Sequence, residues 1–479
     1  MTSAAHAEPL ASGVEPTGPT EPPAALMAVP TTVRAPLDEP DWQAAPSPRD
    51  ASGVAREDAR TGRLLWIPRA LFFLPRMAVW TAAQPIRGVA YAYERYDVPT
   101  KSKSATSSDA RRFGIYPTAA YETGFGFTAG GRLIVRDIFG ANERVKLRVD
   151  FGGRFRQAYG INLKSGDRFG DRLTLEVDSS YERRPQERFF GIGNGGKLDQ
   201  PPPMPIDPSV DNTSIESRFG ETLVRNVLTA DVRIVDSLHA RTSGALMLRE
   251  LSGTDDPDSI TMRYDTSKLA GFEDGVQNLY IEEELVYDTR RPAKYQSHAL
   301  DVTGWLAAAH VGITRGINGD PSKFWTYGGE VQRYFDLYDG SRVLVLRGLV
   351  EAIAGSDGRT DGKVSFVDLP RLGGAEHLRG YPNGRFRDRS IALGSAEYTW
   401  NLGNFLAAFT FVDVGRTFSA LDNVETDDGL RVGFGGGVQV HTGKSFLTRL
   451  QIAGSRDGDF FLELALSPTD GRRERARRF

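Results

Sequence analysis

Two short segments carry opposite charges where the neighbouring residues are apolar or typical of loops. Arg379 lies in Leu378-Arg379-Gly380-Tyr381, and Asp413 lies further along the chain in Phe411-Val412-Asp413-Val414-Gly415. A charge enclosed away from water is tolerated only when an opposite charge and hydrogen bonds satisfy it. We therefore predict that Arg379, carried on a loop, makes a charge-assisted hydrogen bond with Asp413, which faces it from a strand. The alternative is that Arg379 lies on an exposed loop.

Other patterns that could support binding or catalysis are weaker. The segment Gly191-Ile192-Gly193-Asn194-Gly195-Gly196 matches a dinucleotide-binding pattern, but Pro201-Pro202-Pro203 follows where that site needs a helix. Asp255, Asp256 and Asp258 lack the spacing of a calcium loop, which favours a solvated loop. There is no cysteine, and the six histidines lack the spacing of metal ligands. We predict no catalytic residue, cofactor, metal site or small-molecule substrate, and the chain is interpreted as not an enzyme.

The composition bounds the class of protein. The 479 residues carry a net charge of −3, so the basic surplus typical of nucleic-acid-binding proteins is missing. The mean hydropathy of −0.36 is too low for a helical membrane protein. It suits a membrane β-barrel, whose strands alternate lipid-facing and lumen-facing residues. The 52 glycines, 26 phenylalanines and 16 tyrosines fit tight turns and interfacial aromatic girdles.

From residue 114 onwards, apolar and polar residues alternate, as they do along 144–151. A period of two predicts strands with one apolar and one polar face. We count about sixteen such segments before residue 467, which is an ordinary size for an outer-membrane barrel. A water-soluble β-sandwich would also alternate, but the heavily charged polar face and the aromatic residues near strand ends, such as Tyr398 and Trp400, favour the barrel. The predicted fold is all-β, an antiparallel transmembrane β-barrel with an inserted loop.

The ends of the chain differ from the predicted barrel at 114–467. Residues 1–60 are rich in Pro and Ala and poor in large apolar side chains, which predicts a disordered tail. Residues 61–113 contain apolar stretches broken by prolines, which favours short amphipathic helices at the membrane interface; a core helix of a small soluble domain is the alternative. The basic tail at 468–479 either binds anionic headgroups or is solvated.

Strand parity places the predicted site residues on the inner wall. Val412 and Val414 share the face that suits lipid, so Asp413 points into the lumen, and the parity of the preceding strand does the same for Glu397. We therefore predict Glu397 as a second lumenal partner of Arg379. Glycines on the inner wall would let an inserted loop approach the backbone closely. The predicted wall glycines are Gly415, Gly433, Gly435 and Gly437.

In their order along the chain, these motifs resemble the signature of the BamA/TamA superfamily of outer-membrane barrel-assembly proteins, also described as the bacterial surface antigen family. The supporting segments are Phe139-Gly140-Ala141-Asn142-Glu143, Phe190-Gly191-Ile192-Gly193-Asn194 and Asp288-Thr289-Arg290. The resemblance covers 114–467 and implies that the loop at 366–388 folds into the barrel, where its arginine meets an acid. Members usually carry periplasmic POTRA modules, and none is evident before residue 114.

The resemblance also implies a function. We expect a bacterial outer-membrane protein that contacts outer-membrane lipid and assists the insertion or translocation of polypeptides, such as unfolded outer-membrane proteins, or of lipids. The passage would be a lateral seam between the first strand, near 115–124, and the last, near 457–466. The alternative is a passive channel or structural barrel plugged by its inserted loop.

Overall fold

The computed structural model describes residues 113–123, 126–153, 156–170, 172–195, 204–208, 214–292, 300–355, 364–402, 406–420, 429–441 and 446–469. The predicted disordered tail, the predicted interfacial segment apart from Phe113, and the basic tail from residue 470 lie outside these residues. The strands are β1 (Phe113–Glu122), β2 (Gly126–Arg136), β3 (Arg144–Gly152), β4 (Arg156–Lys164), β5 (Leu173–Phe189), β6 (Ser217–Val235), β7 (Leu238–Ser252), β8 (Val276–Asp288), β9 (Arg291–Pro292), β10 (Asp301–Gly316), β11 (Lys323–Asp336), β12 (Arg342–Gly355), β13 (Arg371–Leu372), β14 (Phe386–Arg387), β15 (Ser390–Asn401), β16 (Leu406–Phe418), β17 (Arg431–His441), β18 (Phe446–Ser455) and β19 (Phe460–Thr469).

Sixteen of these strands form one closed antiparallel barrel. Each barrel strand pairs with the preceding and following barrel strands in the chain, and β1 pairs with both β2 and β19, which closes the ring. Three two-residue strands lie outside the ring: β9 pairs with β10, and β13 pairs with β14. The antiparallel barrel that the alternation predicts is therefore confirmed.

Burial on the two faces of the strands is the reverse of that in a water-soluble protein. On the outer face of β6, Leu228 is 56% exposed and Ile234 is 55% exposed, whereas Glu221 on the inner face is only 8% exposed. Glu221 is compensated by Arg249, whose Nε lies 3.3 Å from its carboxylate. An apolar outside and a paired, charged inside are expected of a barrel surrounded by lipid. Inner carboxylates that are buried in the same way belong to Glu182, Glu282, Glu330 and Asp413.

The two ends of the barrel differ in the length of their connections. The connections after β5, β7, β12 and β16 lie at one end, which we call the long-loop rim; they span 190–216, 253–275, 356–389 and 419–430. The start of β1 and the end of β19 lie at the other end, the terminal rim. The connection after β7 contains a one-turn helix, α1 (Ile260–Arg263), and a 3-10 turn (Thr266–Lys268). Among the described residues, no helix is long and apolar enough to cross a membrane.

An apolar cluster lies where the connections after β5, β7 and β12 meet. The ring of Phe366 packs edge-to-face against Phe189 and Phe219, with centroid distances of 5.1 and 5.3 Å. Ile260 and Tyr264 of the helical segment are fully buried in the same cluster. Because burial of such side chains is strongly favourable, the cluster holds the three connections together and fixes the position of the one after β12.

Candidate functional site

The described part of the connection after β12, residues 364–389, lies inside the barrel, and we call it the plug. At one point Asp368 forms an ion pair with Arg249 of β7 and accepts a hydrogen bond from Asn278 of β8. Further along, Arg379 reaches the inner faces of β15 and β16. The plug therefore contacts two separate parts of the wall, and a movement of its backbone must break polar contacts at both.

The tip of the plug is a tight turn that presents Arg379. The short strands β13 and β14 pair with each other, and the amide of Gly373 donates to the carbonyl of His377 at 2.6 Å. Gly373 and Gly380 adopt φ values of 113° and 95°, which favour glycine. Leu378 also has a positive φ, 65°, which is uncommon for a non-glycine residue and is held by the surrounding contacts.

Arg379 and Asp413 form the central contact of the site. The guanidinium donates from Nε to Oδ2 of Asp413 at 2.8 Å and from Nη2 to Oδ1 at 2.7 Å. The backbone amide of Arg379 donates to the same Oδ2 at 2.9 Å. Ser395 of β15 completes the arrangement, since its hydroxyl donates to Oδ1 of Asp413 at 2.6 Å. This bidentate geometry fixes both the position and the orientation of the plug tip.

The pair is almost completely enclosed. Asp413 is 1% exposed and Arg379 is 7% exposed, and the guanidinium carbon lies 3.6 Å from the centroid of the Phe411 ring. Burial acts to lower the pKa of Arg379, but its hydrogen bond to Asp413 and the charges of Glu397 and Asp413 outweigh burial and raise it. The arginine is therefore a permanent cation, and removal of Asp413 would leave it with fewer hydrogen bonds and less opposite charge in a buried position.

Glu397 joins the site to a second arginine. Nη1 of Arg379 donates to Oε2 of Glu397 at 2.6 Å, and Nη2 of Arg449 donates to the same oxygen at 2.8 Å. Arg449 belongs to β18, and its guanidinium carbon lies 3.8 Å from the centroid of the Phe409 ring. The result is a network of two acids and two arginines that connects the plug tip with β15, β16 and β18.

The other residues of the Leu378-Arg379-Gly380-Tyr381 motif seal the tip with apolar contacts. Leu378 is fully buried against Leu372 and the wall. The ring of Tyr381 packs edge-to-face on Phe386 with a centroid distance of 5.1 Å, and its hydroxyl donates to the carbonyl of Val432 at 3.3 Å. Burial raises the pKa of Tyr381 to about 12, so the hydroxyl remains a donor.

The wall glycines fall into two groups. A Cβ at Gly433 would overlap the carbonyl oxygen of Arg379, and one at Gly415 would lie 3.0 Å from Cδ1 of Leu372, so both glycines make room for the plug. For Gly435 and Gly437, the atoms nearest to an added Cβ belong to the wall, and the first is a backbone oxygen of β18 at 2.1 Å. A Cβ there would lie 2.9 Å from Cζ of Phe411 or 2.7 Å from Cζ of Phe409. These glycines make room for the two rings on which the arginines stack.

The ladder that closes the barrel is short. Among the described residues, β1 pairs with β19 only over Ala119–Glu122 and Glu463–Leu466, whereas β1 pairs with β2 along its whole length. Extension of the seam register by two residues would set Pro117 opposite Pro468. Proline has no N–H to donate to a ladder. The seam therefore involves the last four residues of β1 and the middle four residues of β19.

Comparisons with known proteins identify the family. Residues 137–457 match the sequence profile of the Omp85 superfamily domain. The chain belongs to the Omp85 superfamily. The match covers more than half of the chain and contains the plug, Glu397, Asp413 and Arg449. No curated protein sequence matches the chain.

Solved structures resemble this Omp85 chain at low sequence identity. BamA from Haemophilus ducreyi lacking POTRA domains 1–3 is 12% identical, with a TM-score of 0.52 over 75% of this chain and 70% of that one. CdiB from Acinetobacter baumannii is 11% identical, with a TM-score of 0.45 over 74% of this chain and 59% of that one. CdiB from Escherichia coli is 11% identical, with a TM-score of 0.47 over 74% and 62%.

The glycine-rich segment after β5 packs against the plug in this Omp85 barrel. The amide of Gly193 donates to the carbonyl of Arg387 at 2.8 Å, and Nη2 of Arg385 donates to the carbonyl of Gly195 at 3.0 Å. Asn194 donates to the carbonyl of Gly429 at 2.5 Å. The motif around Gly193 thus supplies backbone contacts that hold the plug and the connection after β16.

Several residues of the Omp85 site were not singled out by the sequence. Arg449, Ser395, Phe411 and Phe409 all contact the Arg379 network or stack on its arginines. Parity assigns each of them to the inner face, but many inner-wall residues share that parity. Which of them meets Arg379 depends on the register between strands, and alternation within a strand carries no information about that register.

Proposed function

We propose that this Omp85 barrel works in the bacterial outer membrane and assists the insertion or translocation of polypeptides through the seam between β1 and β19. The proposal is supported by membership of the superfamily and by the resemblance to barrel-assembly proteins. The exposed apolar outer face fits outer-membrane lipid. Unfolded outer-membrane proteins are the proposed clients, with the long-loop rim facing outward.

The observation that carries the proposal is the short seam ladder. In an antiparallel pair, opposite residues alternate between exchanging two backbone hydrogen bonds and exchanging none. Ala119–Glu122 can therefore make only a few such bonds to β19, and Tyr116–Thr118 have no ladder partner among the described residues of β19. Each backbone bond contributes only about 0.5–1.5 kcal/mol. Such an edge opens at low cost and offers a template to an incoming strand.

The plug has a defined place in this proposal. Its tip is anchored on the inner wall at Asp413, and this anchor leaves the seam strands free, since Arg379 binds β15 and β16. The barrel can then open at one side while the anchored plug limits leakage through the centre. At Gly380 the plug tip lies against the backbone of Gly454 in β18, the strand that pairs with β19.

The anchored plug also favours the second candidate, a passive channel or structural barrel that stays plugged. The Arg379 network and the apolar cluster around Phe366 both hold the plug in place. In that case the short seam would be a consequence of barrel closure and would not open during function. The two candidates differ in whether a sealed seam abolishes activity.

A reversible disulfide across the seam tests the proposal. Ala120 and Ala465 lie directly opposite each other, and the chain has no native cysteine. The double variant Ala120→Cys with Ala465→Cys, oxidised and reconstituted in lipid vesicles, should lose the ability to accelerate the folding of an unfolded outer-membrane protein into the bilayer. Reduction should restore it.

The matched control is a cysteine pair in a complete ladder. Thr229 and Ser243 lie opposite each other in β6 and β7, with their hydroxyl oxygens 3.1 Å apart. Oxidised Thr229→Cys with Ser243→Cys should keep the parental rate. If the oxidised seam variant is as active as the parent, lateral opening is not the mechanism and the plugged barrel is favoured.

A further inference from the structure

The side chain of Thr123 completes the seam ladder at the long-loop rim. Its hydroxyl donates to the carbonyl of Leu462 at 3.0 Å and accepts from the amide of Leu462 at 3.0 Å. In the seam register, Thr123 is the residue that falls opposite Leu462, one step beyond the pair of Glu122 and Glu463. One hydroxyl therefore satisfies both backbone groups of Leu462 that a β-ladder partner would otherwise satisfy.

The contact also shows which residues form the hydrogen bonds of the seam. Leu462 directs its N–H and C=O towards β1, so Leu464 and Leu466 do the same by alternation, opposite Tyr121 and Ala119. The next position in this series is Pro468 opposite Pro117, where neither residue has an N–H. The seam is thus limited by prolines at the terminal rim and ends on the Thr123 hydroxyl at the long-loop rim.

A second set of contacts connects Thr123 with the plug. Nη2 of Arg188, which is buried near the end of β5, donates to the carbonyl of Thr123 at 3.3 Å. Nη2 of Arg387, in the plug, donates in turn to the carbonyl of Arg188 at 3.3 Å. The guanidinium of Arg387 also lies over the rings of Phe189 and Phe366. Arg188 also pairs with Arg218 of β6 and forms an ion pair with Glu216. Docking of the plug adds the hydrogen bond from Arg387 to this arrangement, and Arg188 in turn donates to the turn that carries Thr123.

We infer that Thr123 is a positioning residue whose hydroxyl keeps the seam closed at the long-loop rim, and that Arg188 and Arg387 couple this contact to the docked plug. We call the contact between the Thr123 hydroxyl and the backbone of Leu462 the latch. The inference rests on the proposed function and assigns its regulation. While the plug is docked, the seam stays closed at the long-loop rim. When the plug shifts, Arg188 loses its support, the Thr123 hydroxyl leaves Leu462, and the backbone groups of Leu462 become available to an incoming strand.

Hydrogen exchange at the seam tests the latch without any client. In vesicle-embedded protein, Thr123→Val removes the hydroxyl at nearly constant shape, whereas Thr123→Ser keeps it. Loss of two hydrogen bonds should accelerate amide exchange in the peptide containing Leu462–Leu466 by about tenfold in Thr123→Val. Thr123→Ser should exchange within about twofold of the parent. Equal exchange in the Val and Ser variants would overturn the role of the hydroxyl.

The coupling has its own matched pair of variants. Arg387→Met should also accelerate exchange at Leu462–Leu466, because the support of Arg188 is lost. Arg385→Met is the control, since Arg385 is likewise buried in the plug and lies over aromatic rings, but it donates to Gly195 and not to Arg188. Arg188→Met should behave like Arg387→Met and does not alter the plug sequence.

Each outcome of this experiment bears on the inference. The ladder of β6 and β7 reports on folding, and its exchange should be the same in every variant. If Arg188→Met and Arg387→Met both exchange at Leu462–Leu466 at the parental rate, the coupling is overturned. It is also overturned if Arg385→Met exchanges there as fast as Arg387→Met does. Because no client is present, loss of the latch is distinguishable from failure of the proposed function, which the seam disulfide tests separately.

Discussion

The carboxylate of Asp413 accepts three hydrogen bonds from Arg379, two from the guanidinium and one from the backbone amide. Asp413 therefore recognises the side chain of the arginine and also the path of the chain that carries it. A lysine at 379 would keep the charge but lose the two-pronged geometry. This relationship makes the position of the plug tip depend on one acid of β16.

The first prediction concerns the coupling between these two residues. Arg379→Met or Asp413→Asn alone should lower the free energy of unfolding by about 3–5 kcal/mol, because each leaves the other group poorly compensated. The double variant should cost clearly less than the sum of the two. Urea-induced unfolding in vesicles, followed by tryptophan fluorescence, measures all four proteins. Additive effects would show that the pair is not energetically coupled.

An exchange of the two charges should not restore stability. Aspartate at position 379 would face Glu397, whose Oε2 lies 2.6 Å from Nη1 of Arg379, and the backbone amide at 379 would lose its carboxylate acceptor. We therefore expect the Arg379→Asp, Asp413→Arg protein to unfold at a urea concentration no higher than that of either single variant. Recovery of the parental midpoint would contradict the four-residue network.

A second prediction concerns Glu397, which serves two arginines. Glu397→Gln should cost about 1–3 kcal/mol of unfolding free energy, since one oxygen accepts from both Arg379 and Arg449. The same substitution should cost less in an Arg449→Gln background, with a coupling energy of about 0.5–3 kcal/mol. Arg241→Gln is the control, because Arg241 pairs with Asp231 and Glu284. It should be additive with Glu397→Gln.

A third prediction concerns the contact between the plug and the wall. Gly433→Ala would place a methyl group on the carbonyl oxygen of Arg379, whereas Gly348→Ala meets nothing within 4 Å. With Leu378→Cys as a buried reporter in both backgrounds, thiol labelling should be about tenfold faster in Gly433→Ala, since overpacking displaces the plug tip. Labelling in Gly348→Ala should match the reporter alone. Equal labelling in the two backgrounds would mean that the tip tolerates the extra methyl group.

The fourth prediction is a pH dependence that comes from His377. Burial and then the charge of Arg347 lower the pKa of His377 from 6.5 to about 4, against the opposing charges of Glu330 and Asp413. Between pH 6.5 and pH 4 the unfolded chain binds more protons at His377 than the folded protein does. The contribution of His377 to the free energy of unfolding is therefore complete above pH 6.5 and is lost as the pH falls towards 4. The loss should be on the order of 3 kcal/mol.

A comparison with His377→Asn isolates this effect. Other groups titrate in the same range, so the quantity of interest is the difference in unfolding free energy between the parent and the variant at each pH. That difference should be constant above pH 6.5. By pH 4.5 the parent should have lost more unfolding free energy than the variant. A difference that does not change with pH would show that His377 is not the responsible group.

Much of the candidate site follows from the sequence because a strand has a period of two. Alternation alone assigned Asp413, Glu397 and Gly433 to the inner face, and any partner strand would leave that assignment unchanged. It could not separate Gly433, which lies under the plug, from Gly435, which lies under the ring of Phe411. The difference depends on where the plug stops, and that position is set by contacts from several strands.

What the sequence by itself determined is the all-β barrel and the inner-face position of Asp413 and Glu397, and both follow from local periodicity. Entry of the arginine-bearing loop into the lumen was implied by the resemblance to the BamA/TamA superfamily. Only the tertiary structure decided that Arg449 shares Glu397, that Pro117 and Pro468 fall at the end of the seam ladder, and that Thr123 meets Leu462. The register between the first and last strands is set by closure of the whole ring, and no pattern within either strand contains it.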